Sequence, residues 1–343
     1  MLYQHLFLRD PKYNLIALFY AFSIVLLFVG KPNSPIWDPQ HLRNLSEGFP
    51  ILTEKSKKEF NFDAYYREFK KRFSNQPLPE KRYLEWFLGF FEGDGSFIVA
   101  KRGDLSLVLT QSVVDKAILE DIKHTLCIGR VEAQPKQNKT WRWTVSNKKD
   151  IFLMVQLFNG NLVFPMRALK FKIFLDTLNY NRILNKESVI NAVDELVLPT
   201  LSDAWISGIT DAEGCFTASI LTNSQHAFRV RYILAQKHLA NKSVLNHIIW
   251  LWNNETSKTI GSVVPHYINN VWEVRVNGLK NCQYIIPYFL EFQLKTTKRK
   301  SFDLFLETLE RIQRKDHMNP EKRSFLKGLT KLINKKNKEE DTV

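Results

Sequence analysis

The chain has 343 residues, 44% of them apolar and 24% charged, so most of it can fold around a full core and a disordered chain is excluded. A formal net charge of +14 names partners and says nothing of fold: nucleic acid first, an anionic membrane surface second. Three cysteines, Cys127, Cys215 and Cys282, stand far apart with no C-x-x-C spacing, which argues against a disulfide framework or a zinc site and for reduced thiols in a non-secreted protein.

In chain order, Leu15 to Val29 is almost continuously apolar, with Ser23 the only polar interruption. It is shorter than the ~20 residues that span a bilayer. A short membrane helix, a signal-peptide core and leftover upstream coding sequence all remain open, and with them membrane contact. Residues 31–78 are rich in Pro, Lys and Asn and read as a connecting segment with a helix near Phe62 to Phe73. The N-terminal extension is therefore taken as 1–78, with the compact part starting at Pro79.

From there one order of elements is read twice. The first copy, 79–178, has a helix over Arg82–Gly93, strands over Ser96–Ala100 and Leu105–Gln111, and a helix over Lys116–Leu126. Strands at Arg130–Glu132 and Trp141–Val145 and helices over Ile151–Phe158 and Pro165–Leu178 complete it. Residues 179–200 form a linker. The second copy, 201–313, repeats the series: a helix from Ser202, which serves as cap, to Ala212, strands Cys215–Leu221 and Phe228–Gln236, and a helix over Lys242–Leu251. Strands Thr259–Val263 and Val271–Val276 and helices over Cys282–Phe289 and Lys298–Arg311 follow. A basic tail, 314–343, ends the chain. The repeat makes the fold class α+β, two pseudo-symmetric halves, as in readers of DNA half-sites.

The opening helices end alike, in Phe87-Leu88-Gly89-Phe90-Phe91-Glu92-Gly93-Asp94-Gly95 and Ile206-Ser207-Gly208-Ile209-Thr210-Asp211-Ala212-Glu213-Gly214. Gly89 with Gly93, and Gly208 with Ala212, are small residues four apart, so each helix has one bare face for close approach. Gly95 and Gly214 can end the helices in the left-handed conformation. If the helices pack side by side, Asp94 and Glu213 converge. Two carboxylates at helix C-termini repel each other and oppose the helix dipoles, and a divalent cation removes both penalties. Mg²⁺ suits one or two carboxylates completed by water and phosphate oxygens, and paired metals hydrolyse phosphodiesters. Glu92 and Asp211 are read as structural hydrogen-bonding acids.

At these residues the sequence resembles the LAGLIDADG homing endonuclease family in its two-motif, single-chain form, over roughly residues 79–313. The resemblance implies two αββαββα halves whose saddle-shaped antiparallel sheets read double-stranded DNA in the major groove. It further implies metal-dependent double-strand cleavage across the minor groove leaving short 3′ overhangs, with Mg²⁺ or another divalent cation such as Mn²⁺ held by Asp94 and Glu213. It places Gln111 and Gln236 near the catalytic waters and a late basic residue in each half. In the second half Lys300 fits best, with Lys298 the alternative. In the first the pattern departs, and Arg167, Lys170 or neither takes that place. The family also implies a monomer and an intron-encoded product that spreads its intron. A composition rich in Phe, Lys and Asn suits an organellar gene, mitochondrial first and chloroplast as the alternative.

Strand arginines are the expected DNA readers: Arg142, Arg275, and Arg229 with Arg231, which lie two apart and share a sheet face. Lys170 is a further candidate DNA contact. The basic tail, Lys322 to Lys338, is read as a phosphate contact or as a solubilising segment. Three rival readings are an RNA maturase binding its own intron RNA, a membrane-attached structural protein, and a non-catalytic DNA-binding regulator. Retention of both Asp94 and Glu213 favours the nuclease.

Overall fold

The structure, a computed structural model, describes residues 59–334 apart from 135–138, 223 and 225. The apolar segment Leu15–Val29 lies outside the described residues. Among the described residues no helix is long and apolar enough to cross a membrane.

Helix α1 (Asp63–Arg72) precedes the repeat. The first half comprises α2 (Lys81–Asp94), β1 (Gly95–Val99), β2 (Leu105–Ser112), α3 (Lys116–Leu126), β3 (Arg130–Ala133), β4 (Thr140–Val145), α4 (Lys148–Phe158) and α5 (Pro165–Leu184). The second repeats it as α6 (Trp205–Glu213), β5 (Gly214–Ile220), β6 (Phe228–Lys237), α7 (Lys242–Thr256), β7 (Gly261–Pro265), β8 (Val271–Asn277), α8 (Leu279–Glu291) and α9 (Lys298–Gln313). Each half is thus αββαββα with one more helix closing it, and α10 (Pro320–Leu332) follows. The two antiparallel sheets have the same order, β1-β2-β4-β3 and β5-β6-β8-β7.

Alternation sets which face each sheet buries. Leu107 and Leu109 on β2, and Val230, Tyr232 and Leu234 on β6, are buried under helices. The aromatic content condenses there: Phe91, Phe97, Phe158, Phe171 and Phe174 pack ring to ring in the first half, and Phe216, Tyr232, Phe289, Phe302 and Phe305 in the second.

Between the halves, α2 and α6 pack through their bare faces. A Cβ on Gly89 would fall on the Trp205 carbonyl oxygen, and one on Gly208 on the Trp86 carbonyl oxygen. A Cβ on Gly93 would collide with that of Ala212. The closing glycines differ from the sequence expectation. Gly95 (φ −79°, ψ 163°) and Gly214 (φ −79°, ψ 159°) are extended, because the chain runs straight from helix into strand. Glycine is required there for space: a Cβ would strike Phe91 or Thr210 in the preceding turn.

Four boundaries also differ, the first at α5, which runs to Leu184 and so takes up the start of the segment 179–200 read as a linker. The compact part starts before Pro79, since Tyr65 and Phe69 on α1 are fully buried and Asn61 and Asn161 exchange hydrogen bonds of 2.8 and 2.7 Å. The apolar i, i+4 pair Tyr65–Phe69 sits among charges, which hid it in a polar-looking segment. The segment 314–343 is not simply a tail: α10 buries Leu326 and Leu329, and Arg323 donates to the carbonyls of His317, Leu221 and Ser224. Finally, α6 starts at Trp205 rather than Ser202. Asp203 takes the capping role, accepting from Trp205 N at 3.1 Å, and Glu85 of the first half accepts from Ala204 N at 3.1 Å.

Candidate active site

The paired helices carry their acids to a common end. The inner acids brace the frame, as the sequence reading expected. Glu92 accepts from the backbone N–H of Val163 (2.9 Å) and Phe164 (2.7 Å), fixing the start of α5, and from Trp205 Nε1 (3.1 Å) of the other half. Asp211 mirrors it, accepting from Lys295 N (2.7 Å), Thr296 N (3.2 Å), Thr296 Oγ1 (2.6 Å) and Trp86 Nε1 (2.8 Å). Each buried acid therefore clasps its own half's last helix and the partner helix's tryptophan. Burial pushes the Glu92 carboxyl up to about 7 against the pull of those N–H donors.

The outer acids face the opening. Asp94 is half-buried, and its Oδ2 accepts from Gln111 Nε2 at 2.6 Å. Burial raises its pKa above the ordinary carboxyl value, while Gln111, Lys298 and Arg167 oppose the rise. Glu213 lies at the solvent-facing mouth. The protein around it and then the charge of Asp94 raise it, with Lys298 and Arg167 opposing.

Strand parity explains the glutamines. Gln111 is two residues past buried Leu109, and Gln236 two past buried Leu234, so both lie on the helix-facing side at the strand end nearest the acids. Gln236 Nε2, unlike Gln111 Nε2, is buried without a hydrogen-bond partner among the described residues.

Two basic side chains close the motif-helix ends. Lys298 Nζ donates to the carbonyls of Thr210 (2.9 Å) and Ala212 (3.3 Å). Arg167 donates to the carbonyls of Gly95 (2.8 Å) and Gly93. Burial lowers the pKa of both, and the nearby acids hold them up. Lys300, which the sequence favours, is exposed and lies two positions along α9 from Lys298. The alternative, Lys298, occupies the site. Of the first-half candidates, Arg167 contacts the motif helix, and Lys170 joins it in lining a cavity of about 280 Å³ with Glu213, Gln236, Lys237, His238 and Asn241. The sequence reading missed Lys237, His238 and Asn241. The turns Asp115-Lys116 and Asn241-Lys242 at matched places were the available signal.

The strand arginines lie on the helix-free face. Arg229 and Arg231 alternate with buried Val230 and Tyr232, Arg275 lies between buried Val274 and Val276, and Arg142 between Trp141 and Trp143. The register pairs Arg275 with Ile233, diagonal to Arg231. Arg275 forms an ion pair with Glu273, and Arg142 stands opposite Glu132.

The three cysteines are free thiols. Among the described residues no group of three or more His, Cys, Asp or Glu could hold an ion. A cation here would rest on the two all-oxygen donors Asp94 and Glu213, whose raised pKa values a positive charge would relieve, with its remaining ligands coming from outside the protein.

Fold and site together define a single-chain, two-motif protein with one composite acidic centre on a pseudo-two-fold axis. A family model described as "LAGLIDADG endonuclease" matches residues 87–178 and 206–309, and the chain belongs to that family. It is 33% identical over 263 residues to "Probable intron-encoded endonuclease 4" of Neurospora crassa, covering 75% of this chain and 45% of that protein. It is 25% identical over 184 residues to "Intron-encoded RNA maturase bI4" of Saccharomyces cerevisiae, covering 50% of this chain and 26% of that protein. The chain thus spans less than half the length of these two relatives. Among solved structures it is similar to the I-LtrWI LAGLIDADG homing endonuclease bound to target DNA, with a TM-score of 0.59, 21% identity, and coverage of 75% of this chain and 99% of that one.

Proposed function

We propose that the chain is a site-specific double-strand DNA endonuclease of the intron-homing kind. The observation that carries this reading is the convergence of Asp94 and Glu213 at one end of the glycine-paired helices, with Gln111, Arg167 and Lys298 around them. The pairing surface is used up within one chain, which favours a monomer. Similarity to intron-encoded relatives and to a yeast protein named as mitochondrial favours a mitochondrial setting.

Asp94 and Glu213 would hold a divalent cation, Mg²⁺ by preference for oxygen ligands. Bound there, the cation would supply an activated water and charge neutralisation at the scissile phosphate. The chain's own groups do the rest. Gln111 fixes the Asp94 carboxylate. Lys298 and Arg167 neutralise the carbonyl ends of the motif helices and place positive charge beside the acids. Lys170, Lys237 and His238 line the cavity where a phosphate would sit. The face bearing Arg142, Arg229, Arg231 and Arg275 presents side chains able to pair with guanine edges.

The test is incubation of the full chain with a randomised duplex library, with Mg²⁺ and with chelator. Discrete Mg²⁺-dependent cutting at one long site is expected. A folded protein that binds but never cuts would sink the reading and favour the maturase alternative, to which the yeast relative's name points.

A further inference from the structure

The residue before each basic group beside the acids is held by the opposite half of the molecule. Asp115 ends the 3₁₀ turn Val113–Asp115 that follows β2 in the first half. Its carboxylate accepts from Thr297 N at 2.7 Å and from Thr297 Oγ1 at 3.1 Å. Thr297 is the N-cap of α9, and the next residue is Lys298. In the second half the 3₁₀ turn Leu239–Asn241 follows β6 at the matching place. Asn241 Oδ1 accepts from Met166 N at 3.4 Å, and the next residue is Arg167. Asn241 Nδ2 donates to the Lys237 carbonyl at 3.0 Å, tying the turn to the end of β6. Two matched turns, each just past the strand that carries the site glutamine, thus reach across the pseudo-dyad. Each grips the backbone one residue before the other half's basic group.

We propose that Asp115 and Asn241 are positioning residues acting across the pseudo-dyad: Asp115 sets Lys298, Asn241 sets Arg167, and each strand's cut depends on a turn from the opposite half. This rests on the reading that Asp94 and Glu213 carry hydrolysis. The physical ground is the free N–H groups of a helix start. The Thr297 N–H is one of those free donors, and Asp115 supplies its acceptor together with a charge of the sign the helix start favours. Lys298 then spans from that fixed turn to the Thr210 and Ala212 carbonyls. A misplacement of about 1 Å at a reacting site costs about 100-fold in rate. The two grips are unequal, two shorter bonds at Asp115 against one long bond at Asn241, so the Asp115 side is the more sensitive.

The test uses the full chain and a supercoiled plasmid carrying the site returned by the library, with the two strands end-labelled separately. Asp115→Ala should cut one strand at least about 10-fold more slowly and accumulate nicked circles, with duplex affinity within about 2-fold of the parent. Asp115→Asn keeps the acceptor, as asparagine does naturally in the matching turn, and should restore cutting. Asn241→Ala should leave the nick in the opposite strand. A contact that only stabilised the fold would lower the melting temperature and slow both strands alike. That result, or unchanged cutting, overturns the proposal. Asn241 is buried; if its variant does not fold, the Asp115→Ala strand bias and its Asp115→Asn rescue decide alone. Asp94→Asn, run alongside, separates the two readings: normal cutting by that variant would refute the acid assignment itself, whatever the strand pattern.

Discussion

The two halves share a frame and differ in the groups that would do chemistry. In both, a buried acid clasps the last helix and the other half's tryptophan, and a glycine admits that tryptophan's carbonyl. In both, the lysine that begins the helix after the second strand, α3 or α7, lies over a strand tryptophan, Lys116 on Trp141 and Lys242 on Trp272, each at 3.7 Å. The differences gather at the opening. Asp94 is bonded to Gln111, whereas Gln236 Nε2 has no hydrogen-bond partner among the described residues; Arg167 reaches the motif-helix carbonyls in the first half and Lys298 in the second; the second sheet's open face carries Arg229, Arg231 and Arg275, the first sheet's Arg142 and Arg130. Packing complementarity holds the interface positions alike. Fusion into one chain lets each half's chemistry change alone.

The largest expected effect tests the unmatched flanks, α1 on the first half and α10 on the second. Removing residues 1–75 deletes Tyr65 and Phe69 from the core, where Phe69→Ala alone should cost about 3–5 kcal/mol. That is a large fraction of the roughly 5–15 kcal/mol by which native proteins are stable. The truncated chain should fail to give a cooperative melt by circular dichroism, and a normal melt would show α1 to be dispensable. Next come the acids. Asp94→Asn and Glu213→Gln should each lower cleavage about 100-fold or more while duplex binding persists, and equal turnover in either variant would remove that residue from the site.

The interface glycines come third. Gly208→Ala puts a Cβ on the Trp86 carbonyl oxygen, backbone with little room to give, and should cost about 3 kcal/mol in chemical denaturation. Gly328→Ala is the counterpart outside the interface. Nothing lies within 4 Å of its Cβ, and in the interior of α10 it should gain about 0.5–1 kcal/mol. Similar losses at both positions would show that close helix approach is not what glycine serves.

These tests also mark what the sequence could disclose. Period and spacing located nearly every element, and α3 begins and ends where apolar spacing put it, because a repeat states each element twice. The motif acids were legible for the same reason. The rest depended on direction in space. Lys298 and Lys300 are indistinguishable as letters in a basic run, and only the angle at which α9 leaves the Asp211 clasp turns Lys298 inward. The grips of Asp115 on Thr297 and Asn241 on Met166 join residues 182 and 75 apart, beyond any local pattern. The extended φ of Gly95 was missed because a helix-ending glycine usually marks a left-handed cap, whereas here crowding against Phe91 selects it. Lys298→Ala should therefore slow cutting about 10- to 100-fold, and Lys300→Ala should change it by less than about 2-fold. The reverse ranking would return the role to Lys300.

The smallest effect separates the halves by proton affinity. Both outer acids must be ionised to hold a cation, and both have pKa values raised by burial, Glu213 further by Asp94. Cutting should accordingly fall on acidification from a higher pH than free carboxyls would give. The Gln111 hydrogen bond favours the charged form of Asp94 and holds its pKa down. Gln111→Leu removes that support, so the Asp94 pKa rises and the acid limb of the pH–rate profile moves to higher pH. Gln236 Nε2 has no hydrogen-bond partner among the described residues, so Gln236→Leu should leave the limb in place even if the rate changes. Midpoints read from single-turnover cutting between pH 5 and 9 decide it: equal shifts in both variants would mean that the glutamines act alike and that the first-half hydrogen bond does not tune its acid.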